Sequence, residues 1–487
     1  MRKSFLKNDH LTRATTKVQK TIAWKNKTNQ NQMDLLAPLS RYLIAPLWAA
    51  WEKSPYLSHY RRLLQTQYDP PEVIRKRQTE RMRSIVKHAY ETCLFWKERF
   101  DSIGVTPEDI RELEDLQKLP LLTKTDLRTR LDDMISSAFP DRKKLTLHKT
   151  SGSTGVAVHV YSNEESDQFK RGAVLRSDEW TGWKLGERKA CIWGNPQIRS
   201  DWKGKLRRDL LDRDYAYLDT LKMDDSAMER FTNELLQAPP GMLFGHAHSL
   251  YLYAGYLKTK RPEVKIRPHG ILSTCMVLHD FERKLITEVF QCQPTNRYGC
   301  EEVSLIASEC EKHEGLHVNA DCLFMELIDN DGKPCGINQP GRIVLTDLWN
   351  RAMPMIRYEV GDMSLWSEKR CSCGRTLPLL TRIEGRVADY VITNQGEYVS
   401  GISLTENFAC MVSGIAQLQI VQEEIDRFTF NIVKAPDFSE KTLTQIDELV
   451  KKRFGEQVNF ECVYMDKIPQ EKSGKYRFCI SKVKKEF

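Results

Sequence analysis

The sequence predicts an α/β protein with a large N-terminal body and a small, mobile C-terminal α+β lid. From 145 to 350, short runs of β-branched residues alternate with helical stretches, which is typical of an α/β domain with largely parallel strands. The pattern changes at IEGRVADY (383–390), and the rest of the chain has the length of a small domain. We therefore expect an extension at 1–33, a body at 34–384 and a lid at 385–487.

The region before the alternating pattern is predicted to be helical. LAPLSRYLIAPLWAAW (36–51) contains Arg41 and two prolines, which favours a pair of docking helices, with shallow membrane contact as the alternative. Apolar residues recur at helical spacing from 70 to 118. Thr106 followed by Pro107 predicts the start of a helix over PEDIRELEDL.

Later elements are predicted from the same periodicities. GRIVLTDL (341–348) predicts a strand of the body. In the lid, AQLQIVQEEIDRFTFNIV (416–433) predicts two strands around a turn, and NFECVYMDKI (459–468) predicts another strand. Between them, SEKTLTQIDELVKKRFG (439–455) has the pattern of an amphipathic helix that ends at a glycine.

The composition is that of a globular protein whose positive charge is concentrated at one end. Of its 487 residues, 40% are apolar and 29% charged, and no apolar run approaches the roughly 20 residues of a membrane helix. Residues 1–33 hold eight lysines and arginines against the single acid Asp9, which is +7 of the total +8 and leaves +1 for the rest. We therefore expect neither a nucleic-acid nor a membrane partner. We interpret 1–33 as a disordered tail; a transit peptide, or sequence upstream of a start at Met33, are the alternatives.

The cysteines indicate a reducing compartment. There are 13, an odd number, scattered along a large chain that shows no export signal. Such usage favours free thiols over a disulfide framework, so we expect a cytoplasmic protein.

One cysteine cluster has spacing suited to a metal. Two thiolates in Cys-Ser-Cys, together with an upstream Cys/His segment, can complete a tetrahedral zinc site. We predict a structural zinc held by Cys310, His317, Cys371 and Cys373. His313 competes with His317 as the fourth ligand, and four residues without metal are the alternative.

KTSGSTG (149–155) is rich in exposed backbone and hydroxyl groups. Its two glycines permit conformations in which successive N–H groups form a nest for anionic oxygens. Such a loop can hold phosphates, although it does not match the common G-x-x-x-x-G-K-[ST] pattern and alone could equally be a surface turn.

Four further motifs come after this loop in order. They are RYGCEE (297–302), PMIRYEVGDMS (354–364), GRVADYV (385–391) and PQEKSGKYRF (469–478). With them, the chain from about 70 to 487 resembles the adenylate-forming superfamily of acyl-coenzyme A ligases. The stretches YGCEEVSLIASEC, EGLHVNAD, PMIRYEVGD and CSCGRTLPLLTRIEGR are most similar to the phenylacetate–coenzyme A ligase branch and its CapK-type members.

The resemblance implies a reaction in two steps. A carboxylate attacks the α-phosphate of ATP to give an acyl-adenylate and pyrophosphate, with Mg²⁺ beside the phosphates, and coenzyme A then displaces AMP. An amine in place of coenzyme A, or a carrier protein, remains open, as does a non-catalytic nucleotide-binding relative. Relatives are often dimers, so a homodimer is expected as well.

The resemblance also assigns roles near the phosphates. The phosphate loop corresponds to Ser151, Gly152, Ser153, Thr154 and Gly155. The family usually continues this loop with Pro and Lys, whereas Val156 and Ala157 stand here, so backbone and hydroxyl groups would make the phosphate contacts.

Three motif residues correspond to contacts with the rest of the nucleotide. Tyr298, beside Gly299, corresponds to the aromatic residue that packs on adenine. Glu302 corresponds to the Mg²⁺ ligand, and Glu301 stands where the family usually has Ser or Thr. Asp362 corresponds to the acceptor of both ribose hydroxyls, and we expect it in a Gly-Asp turn.

The hinge and the lid supply the remaining roles. Arg386 corresponds to the hinge arginine that reaches nucleotide oxygens, and Ala388 replaces the first of two adjacent acids that the family commonly has there. Lys475 corresponds to the catalytic lysine that bridges the carboxylate and the α-phosphate. By resemblance, the acid itself lies near 244–248 and 273–276, and Trp193 is a candidate wall for an aryl group.

We expect Lys475→Ala to lower acid-dependent pyrophosphate release at least about 100-fold, comparable with the loss of one preorganised donor to a transition state. The measurement is the rate of pyrophosphate release with saturating ATP. A nearly normal rate would remove Lys475 from the chemistry.

Overall fold

The computed structural model describes residues 34–150, 158–194, 202–329, 331–384, 390–393, 398–400, 404, 408, 411–455, 457–468 and 479–483. Most of the described chain forms one mixed α/β body, and a smaller sheet with one long helix forms the C-terminal part. In the described residues, no helix is both long enough and apolar enough to cross a bilayer.

Helices precede the sheets, as the spacing predicts. They are α1 (Leu36–Leu39), α2 (Ala45–Trp51), α3 (Tyr56–Thr66), α4 (Pro71–Thr92), α5 (Leu94–Ser102), α6 (Lys124–Thr129) and α7 (Leu131–Met134). A π-helical segment, Ser40–Ile44, joins α1 to α2 without leaving helical geometry, so the expected helix pair at 36–51 is one continuous helix. Pro46 has no N–H to continue the regular hydrogen bonding, and the helix widens in the turn before it.

The prediction of a helix over PEDIRELEDL is wrong. Two 3₁₀ turns, Pro107–Asp109 and Leu113–Lys118, take its place. The Thr106 cap is present, because the Asp109 carboxylate accepts the Thr106 N–H at 2.9 Å. Asp115 repeats the arrangement and accepts the Glu112 N–H at 2.8 Å. Side chains that bond to nearby backbone in this way compete with a continuous helix.

The body contains a hairpin and a large sheet. The hairpin pairs β1 (Thr146–Thr150) with β2 (Val158–Ser162), on either side of residues 151–157. The described strands of the large sheet are β3 (Lys189–Trp193), β4 (Asp214–Asp219), β5 (Met242–His246), β6 (Gly270–Thr274), β7 (Pro294–Cys300), β8 (Ser304–Ser308), β9 (Leu316–Val318), β10 (Leu323–Ile328), β11 (Gly341–Asp347), β12 (Tyr358–Trp366) and β13 (Leu379–Glu384). Their order is β10-β11-β12-β13-β9-β8-β7-β6-β5-β3-β4.

The expectation of largely parallel strands holds for only one half of this sheet. Strands β3 to β7 are parallel to one another, whereas β8 onward pair antiparallel. The change occurs at residues 301–303, which join β7 to β8. A parallel return needs a crossover of a dozen or more residues, so this short turn requires an antiparallel partner.

Five further helices lie between or beside the strands of the body. They are α8 (Glu164–Glu179), α9 (Trp202–Arg207), α10 (Asp225–Gln237), α11 (Ala247–Lys260) and α12 (Asp280–Phe290). Helices α10 to α12 share a hydrophobic core with β3 to β6. Every residue of β6 is buried, as expected for a central parallel strand covered on both faces.

The C-terminal part confirms the elements read from the sequence. A short pair, β14 (Tyr390–Ile392) and β15 (Tyr398–Ser400), precedes a sheet of order β18-β17-β16-β19. Its strands are β16 (Ile415–Glu424), β17 (Arg427–Lys434), β18 (Asn459–Tyr464) and β19 (Cys479–Ser481), and α13 (Glu440–Phe454) packs on them. The boundary at 384/385 and the mobility of a lid stay predictions.

A buried ion pair ties α8 to the antiparallel half of the body. Lys170 Nζ lies 2.5 Å from Asp347 Oδ2, and the two side chains are 9% and 1% exposed. Burial disfavours the ammonium, but the Asp347 carboxylate overrides burial and raises the pKa of Lys170. Asp347 also accepts the backbone N–H of Trp349 at 2.9 Å.

We expect Lys170→Met to lower the free energy of unfolding by about 3–5 kcal/mol, because it leaves Asp347 buried without its cation. Urea unfolding followed by tryptophan fluorescence measures the change. Lys87→Met is the matched control: its pair with Glu91 has side chains 63% and 55% exposed, and it should cost less than about 1 kcal/mol. Equal losses in the two variants would contradict the role of the buried pair.

Candidate nucleotide and metal sites

The carboxyl ends of the parallel strands meet at one edge of the sheet. Strands β3, β5, β6 and β7 end at Trp193, His246, Thr274 and Cys300. Strand β3 lies between β5 and β4. The chain therefore adds β4 on one side of β3 and then adds β5 on the other side, so the strand order reverses between β3 and β5. Open α/β sheets bind their ligands in the crevice at such a point, outside the carboxyl ends.

Tyr298 and Asp362 are brought together at this edge. The Tyr298 hydroxyl donates to Asp362 Oδ2 at 2.9 Å, and Asp362 is only 9% exposed. The prediction that Gly361 and Asp362 form a turn is wrong, because both of these residues lie inside β12. Two extra residues bulge out of β12 there, since Arg342 pairs with Met363 while Val344 pairs with Glu359.

The bulge depends on a glycine and redirects the strand. Gly361 has a φ of +95°, which side chains with a Cβ rarely adopt. Bulges of this kind re-aim side chains beside functional sites. A Cβ on Gly361 would lie 3.9 Å from Lys124 Nζ, so a cation lies close to the bulge that carries Asp362.

Two adjacent acids come after β7 and have different environments. Glu302 is buried at 6% exposure, and its Oε1 accepts a hydrogen bond from the Tyr358 hydroxyl at 2.9 Å. The Glu301 side chain is 67% exposed, and its Oε2 lies 4.0 Å from His148 Nδ1. The turn at 301–303 therefore directs one carboxylate into the body and the other toward the β1–β2 hairpin.

The base of the hairpin is held by a polar chain that no sequence motif revealed. His148 Nε2 lies 2.8 Å from Ser162 Oγ, which donates to Asp167 Oδ1 at 2.6 Å. Burial opposes ionisation of Asp167, but hydrogen bonds from His148 and Ser162 outweigh it and lower its pKa. This chain connects the strands that flank residues 151–157 to α8 and, through Glu301, to the turn after β7.

Several predicted site residues lie outside the described residues. They are Ser151, Gly152, Ser153, Thr154 and Gly155, together with Arg386 and Lys475. Their assignments stay predictions. Of the other predicted nucleotide contacts, the structure brings Tyr298 to Asp362 and places Gly299 and Glu302 next along the same strand and turn.

An aromatic wall stands at the ends of β3 and β5. Trp193 stacks on Phe244 with ring centroids 5.0 Å apart, and His246 is 4.1 Å from Trp193. Burial lowers the pKa of His246 to about 4, so its imidazole is neutral at pH 7. Within the described residues, His246 Nδ1 and Ser273 Oγ are buried and have no hydrogen-bond partner.

The predicted metal ligands converge. One ligand atom from each of Cys310, His317, Cys371 and Cys373 lies within 4.8 Å of all the others. Cys310 Sγ is 3.5 Å from Cys371 Sγ, and Cys373 Sγ is 3.4 Å from His317 Nε2. Zinc–sulfur bonds of about 2.3 Å at tetrahedral angles separate two sulfurs by roughly 3.8 Å, so the spacing fits zinc. His313 lies elsewhere, with Nδ1 3.0 Å from Glu309 Oε2.

The surroundings of the cluster favour a neutral imidazole and raise the pKa of two of its three thiols, Cys310 and Cys371, mainly by burial. Burial, reinforced by the Arg375 charge, lowers the pKa of His317 to about 4. The backbone N–H groups of Lys312 and Arg375 each lie 3.4 Å from a ligand sulfur, of Cys310 and Cys373 respectively. Burial and neighbouring thiols raise the pKa of Cys371, so a nearby cation is needed to hold it as a thiolate.

Comparisons with known proteins find relatives in the same branch that the motifs resemble. Residues 391–482 match the sequence profile of the CapK C-terminal domain. Over 335 residues the chain is 28% identical to a phenylacetate–coenzyme A ligase of Thermus thermophilus, covering 66% of this chain and 72% of that protein. It is 22% identical to Protein CapK of Staphylococcus aureus over 410 residues, or 84% of this chain and 89% of CapK.

A solved structure shares the fold. The crystal structure of 2-hydroxyisobutyryl-CoA ligase in complex with 2-HIB-AMP and CoA superposes with a TM-score of 0.59 at 19% identity, over 86% of this chain and 92% of that one. The expected α/β body followed by a C-terminal domain is thereby confirmed. The profile, the two relatives and the ordered motifs agree: this chain is similar to adenylate-forming enzymes of the branch that contains the phenylacetate–coenzyme A ligases and CapK.

Proposed function

We propose that the protein activates a carboxylic acid with ATP as an acyl-adenylate, releases pyrophosphate, and transfers the acyl group to coenzyme A. The observation that carries the proposal is the meeting of Tyr298 with Asp362, beside Glu302, at the carboxyl edge of the sheet. The relatives named as phenylacetate–coenzyme A ligases support the reaction class.

The described residues account for binding of the nucleoside. Asp362 would accept hydrogen bonds from the ribose hydroxyls, and its contact with the Tyr298 hydroxyl fixes the carboxylate for that purpose. The Tyr298 ring, held by the same bond, would lie against adenine. Each hydrogen bond to a charged acceptor contributes roughly 1.5–3 kcal/mol, so loss of Asp362 should weaken ATP binding measurably.

Glu302 is the proposed ligand for Mg²⁺. Bound Mg²⁺ neutralises phosphate charge and prefers oxygen ligands while retaining several waters, so one protein carboxylate can suffice. The Tyr358 hydroxyl donates to Glu302 Oε1 at 2.9 Å, which orients the carboxylate. The phosphate loop at 151–155, Arg386 and Lys475 complete the site by resemblance to the family.

We place the acyl group of the substrate against the wall of Trp193, Phe244 and His246. A flat aromatic surface suits an aryl or other apolar acid. Neutral His246 and Ser273 would then make the polar contacts, since neither has a partner for its buried atom in the described chain. A charged group on the acid would find no opposite charge in this set.

The proposed reaction consists of two displacements. The acid's carboxylate oxygen forms a bond to the α-phosphorus as the bond to pyrophosphate breaks. The thiol sulfur of coenzyme A then bonds to the acyl carbon, its proton leaves to solvent, and AMP departs. An amine acceptor would replace the thiol in the second step only, so the acceptor can be tested separately from activation.

Asp362→Asn should raise the KM for ATP about 10-fold to 100-fold in acid-dependent pyrophosphate release, because the amide is a weaker acceptor for ribose hydroxyls. The assay uses a panel of aryl, fatty, amino and sugar acids with hydroxylamine as trap. Asp331→Asn, in an exposed turn of the same body, is the matched control and should change nothing.

Distinct results would contradict the proposal. Unchanged ATP dependence in Asp362→Asn would remove the ribose role. ATP binding without pyrophosphate release from any acid would favour a non-catalytic nucleotide binder. If amines increase the rate of pyrophosphate release and coenzyme A does not, the proposed activation step stands and the acceptor is an amine.

We also propose that Cys310, His317, Cys371 and Cys373 hold a structural zinc ion. A closed set of four protein ligands leaves no open position for a substrate or water. The ligands come from the end of β8, from β9 and from the turn before β13, so the ion would fasten three neighbouring strands. It would take no part in the transfer chemistry.

Elemental analysis should find about one zinc per chain, and Cys373→Ser should lose the metal and lower the thermal midpoint, since structural zinc contributes folding free energy. Cys335→Ser is the matched control, a buried free thiol outside the cluster, and should retain zinc. Folded wild-type protein without metal after chelator-free purification would contradict the site.

We further propose a cytoplasmic location. Every cysteine in the described part of the chain is a free thiol, which suits a reducing compartment. ATP and coenzyme A are both available there.

A further inference from the structure

A cleft between two N-terminal helices and the body is lined by arginines. It has a volume of about 40 Å³ and lies between α3, α4 and the segments that follow β9 and β11. One water needs roughly 10–15 Å³ of such space, so the cleft suits a group of only a few non-hydrogen atoms. The residues that line it are separate from those of the candidate nucleotide and metal sites.

Each of the two helices presents a pair of polar side chains to the cleft. Arg62 and Thr66 come from α3, and Arg77 and Arg81 come from α4. Residues four positions apart lie on the same face of a helix, so each helix directs both members of its pair to one side. Three cations and one hydroxyl group thus surround a small space.

Two donors of this set lack an acceptor. Within the described residues, Thr66 Oγ1 and Arg77 Nη2 are buried and have no hydrogen-bond partner. Arg77 Nη2 lies 3.7 Å from Asp321 Oδ1, which is beyond hydrogen-bonding distance, and the other terminal nitrogen of Arg77 donates to Asp69. Because buried polar groups in proteins are normally satisfied, the two atoms indicate a missing acceptor.

The other two arginines have no acidic partner. Among the described residues, neither Arg62 nor Arg81 has a carboxylate oxygen within 4.0 Å. Arg81 lies over the indole of Trp349, with Cζ 3.3 Å from the ring centroid, and Trp349 stacks on Phe169. A guanidinium that is held by its face keeps its in-plane N–H groups for an oxyanion. Burial lowers the pKa of Arg81, so its charged form would be stabilised by an anion.

The charge around the cleft is positive. Four guanidinium groups stand against two carboxylates, a net charge of +2; these groups are Arg62, Arg77, Arg81 and Arg176, and Asp69 and Asp321. Asp321, the acid that lines the cleft, is already paired, because Arg176 Nη1 lies 2.7 Å from its Oδ2. Glu165 and Arg351 also act on Arg81, and their opposite charges offset each other.

We infer that this cleft binds a phosphate group through Arg62, Thr66, Arg77 and Arg81. Guanidinium groups donate paired N–H bonds to phosphate oxygens. A phosphate monoester carries a charge of about −1.5 to −2 at pH 7, which matches the +2 around the cleft, whereas a carboxylate brings one charge and two oxygens. The phosphate is either the free ion or the end of a small phosphorylated molecule. This inference does not depend on the proposed reaction.

The test is isothermal titration calorimetry of the full-length protein in chloride buffer at constant ionic strength. A non-hydrolysable ATP analogue first fills the nucleotide site, and the probes are inorganic phosphate and glycerol 3-phosphate. We expect about one phosphate site per chain that persists beside the analogue. Tighter binding of the ester supports a phosphorylated small molecule as the ligand, and tighter binding of inorganic phosphate supports the free ion. No binding of either probe, or binding that the analogue abolishes, overturns the inference.

Substitutions locate the site. Arg81→Met and Arg62→Met should each weaken binding of the probe at least about tenfold, because each removes charge-assisted hydrogen bonds to the phosphate. Arg61→Met is the matched control: Arg61 is exposed on the same helix, next to Arg62, and does not line the cleft. It should bind as the wild type does. Equal affinity in the wild type and in both cleft variants overturns the inference.

A fourth variant separates ligand binding from folding. Thr66→Val keeps the shape of the side chain and removes a buried hydroxyl that has no partner in the described chain, so its thermal midpoint in phosphate-free buffer should equal or exceed that of the wild type. Added phosphate should raise the midpoint of the wild type and raise that of Thr66→Val less. Arg62 is exposed, so Arg62→Met still tests the site if Arg81→Met fails to fold. The same rise in the wild type, Thr66→Val and Arg62→Met overturns the inference.

Discussion

Two hydrogen bonds across the sheet impose the constraint on which the candidate nucleotide site depends. Tyr298 of β7 reaches Asp362 of β12 at 2.9 Å, and Tyr358 of β12 reaches Glu302 after β7 at 2.9 Å. In sheet order, β8, β9 and β13 lie between these two strands. At about 4.8 Å per strand, a flat sheet would hold β7 and β12 roughly 19 Å apart, beyond the reach of these side chains. The antiparallel half must therefore curl until β12 faces the end of β7.

The curl has local causes that the structure makes visible. Sheets twist with a fixed hand, and bulges increase the local bend. The bulge around Gly361 lies on β12 itself, and a second irregularity between β12 and β13 occurs at Ser364 to Trp366. The Cys/His cluster lies along the same curl, joining the end of β8, β9 and the turn before β13. A zinc ion there would fix the strands that lie between β7 and β12. Loss of the metal would therefore be expected to change the position of Asp362 relative to Tyr298.

The two halves of the sheet present different kinds of side chain at the candidate site. The parallel half ends in aromatic and neutral polar side chains, Trp193, His246 and Ser273, which suit the apolar portion of an acid. The antiparallel half contributes carboxylates, Asp362 and Glu302, which suit hydroxyls and a divalent cation. Their junction at β7 is the place where an acid and a nucleotide can meet.

The sequence alone determined the order of the motifs, the elements of the C-terminal part, the resemblance to the family and the three cysteines of the cluster, because each depends on local periodicity or on residue types within short motifs. It left the choice between His313 and His317 open. It also missed His148, whose partner Ser162 lies on the next strand, and Tyr358, whose partner Glu302 lies 56 positions away. It also placed Asp362 in a turn and predicted largely parallel strands.

Tertiary structure decided these points. Tyr298 and Asp362 are 64 positions apart, and Tyr358 and Glu302 are 56 positions apart, so each pair comes into contact only when the sheet curls. It likewise decided which face of the helix at 36–51 is covered, because hydrogen bonds from Ser40 and Arg41 to distant carbonyls, not the local pattern, set the rotation of that helix.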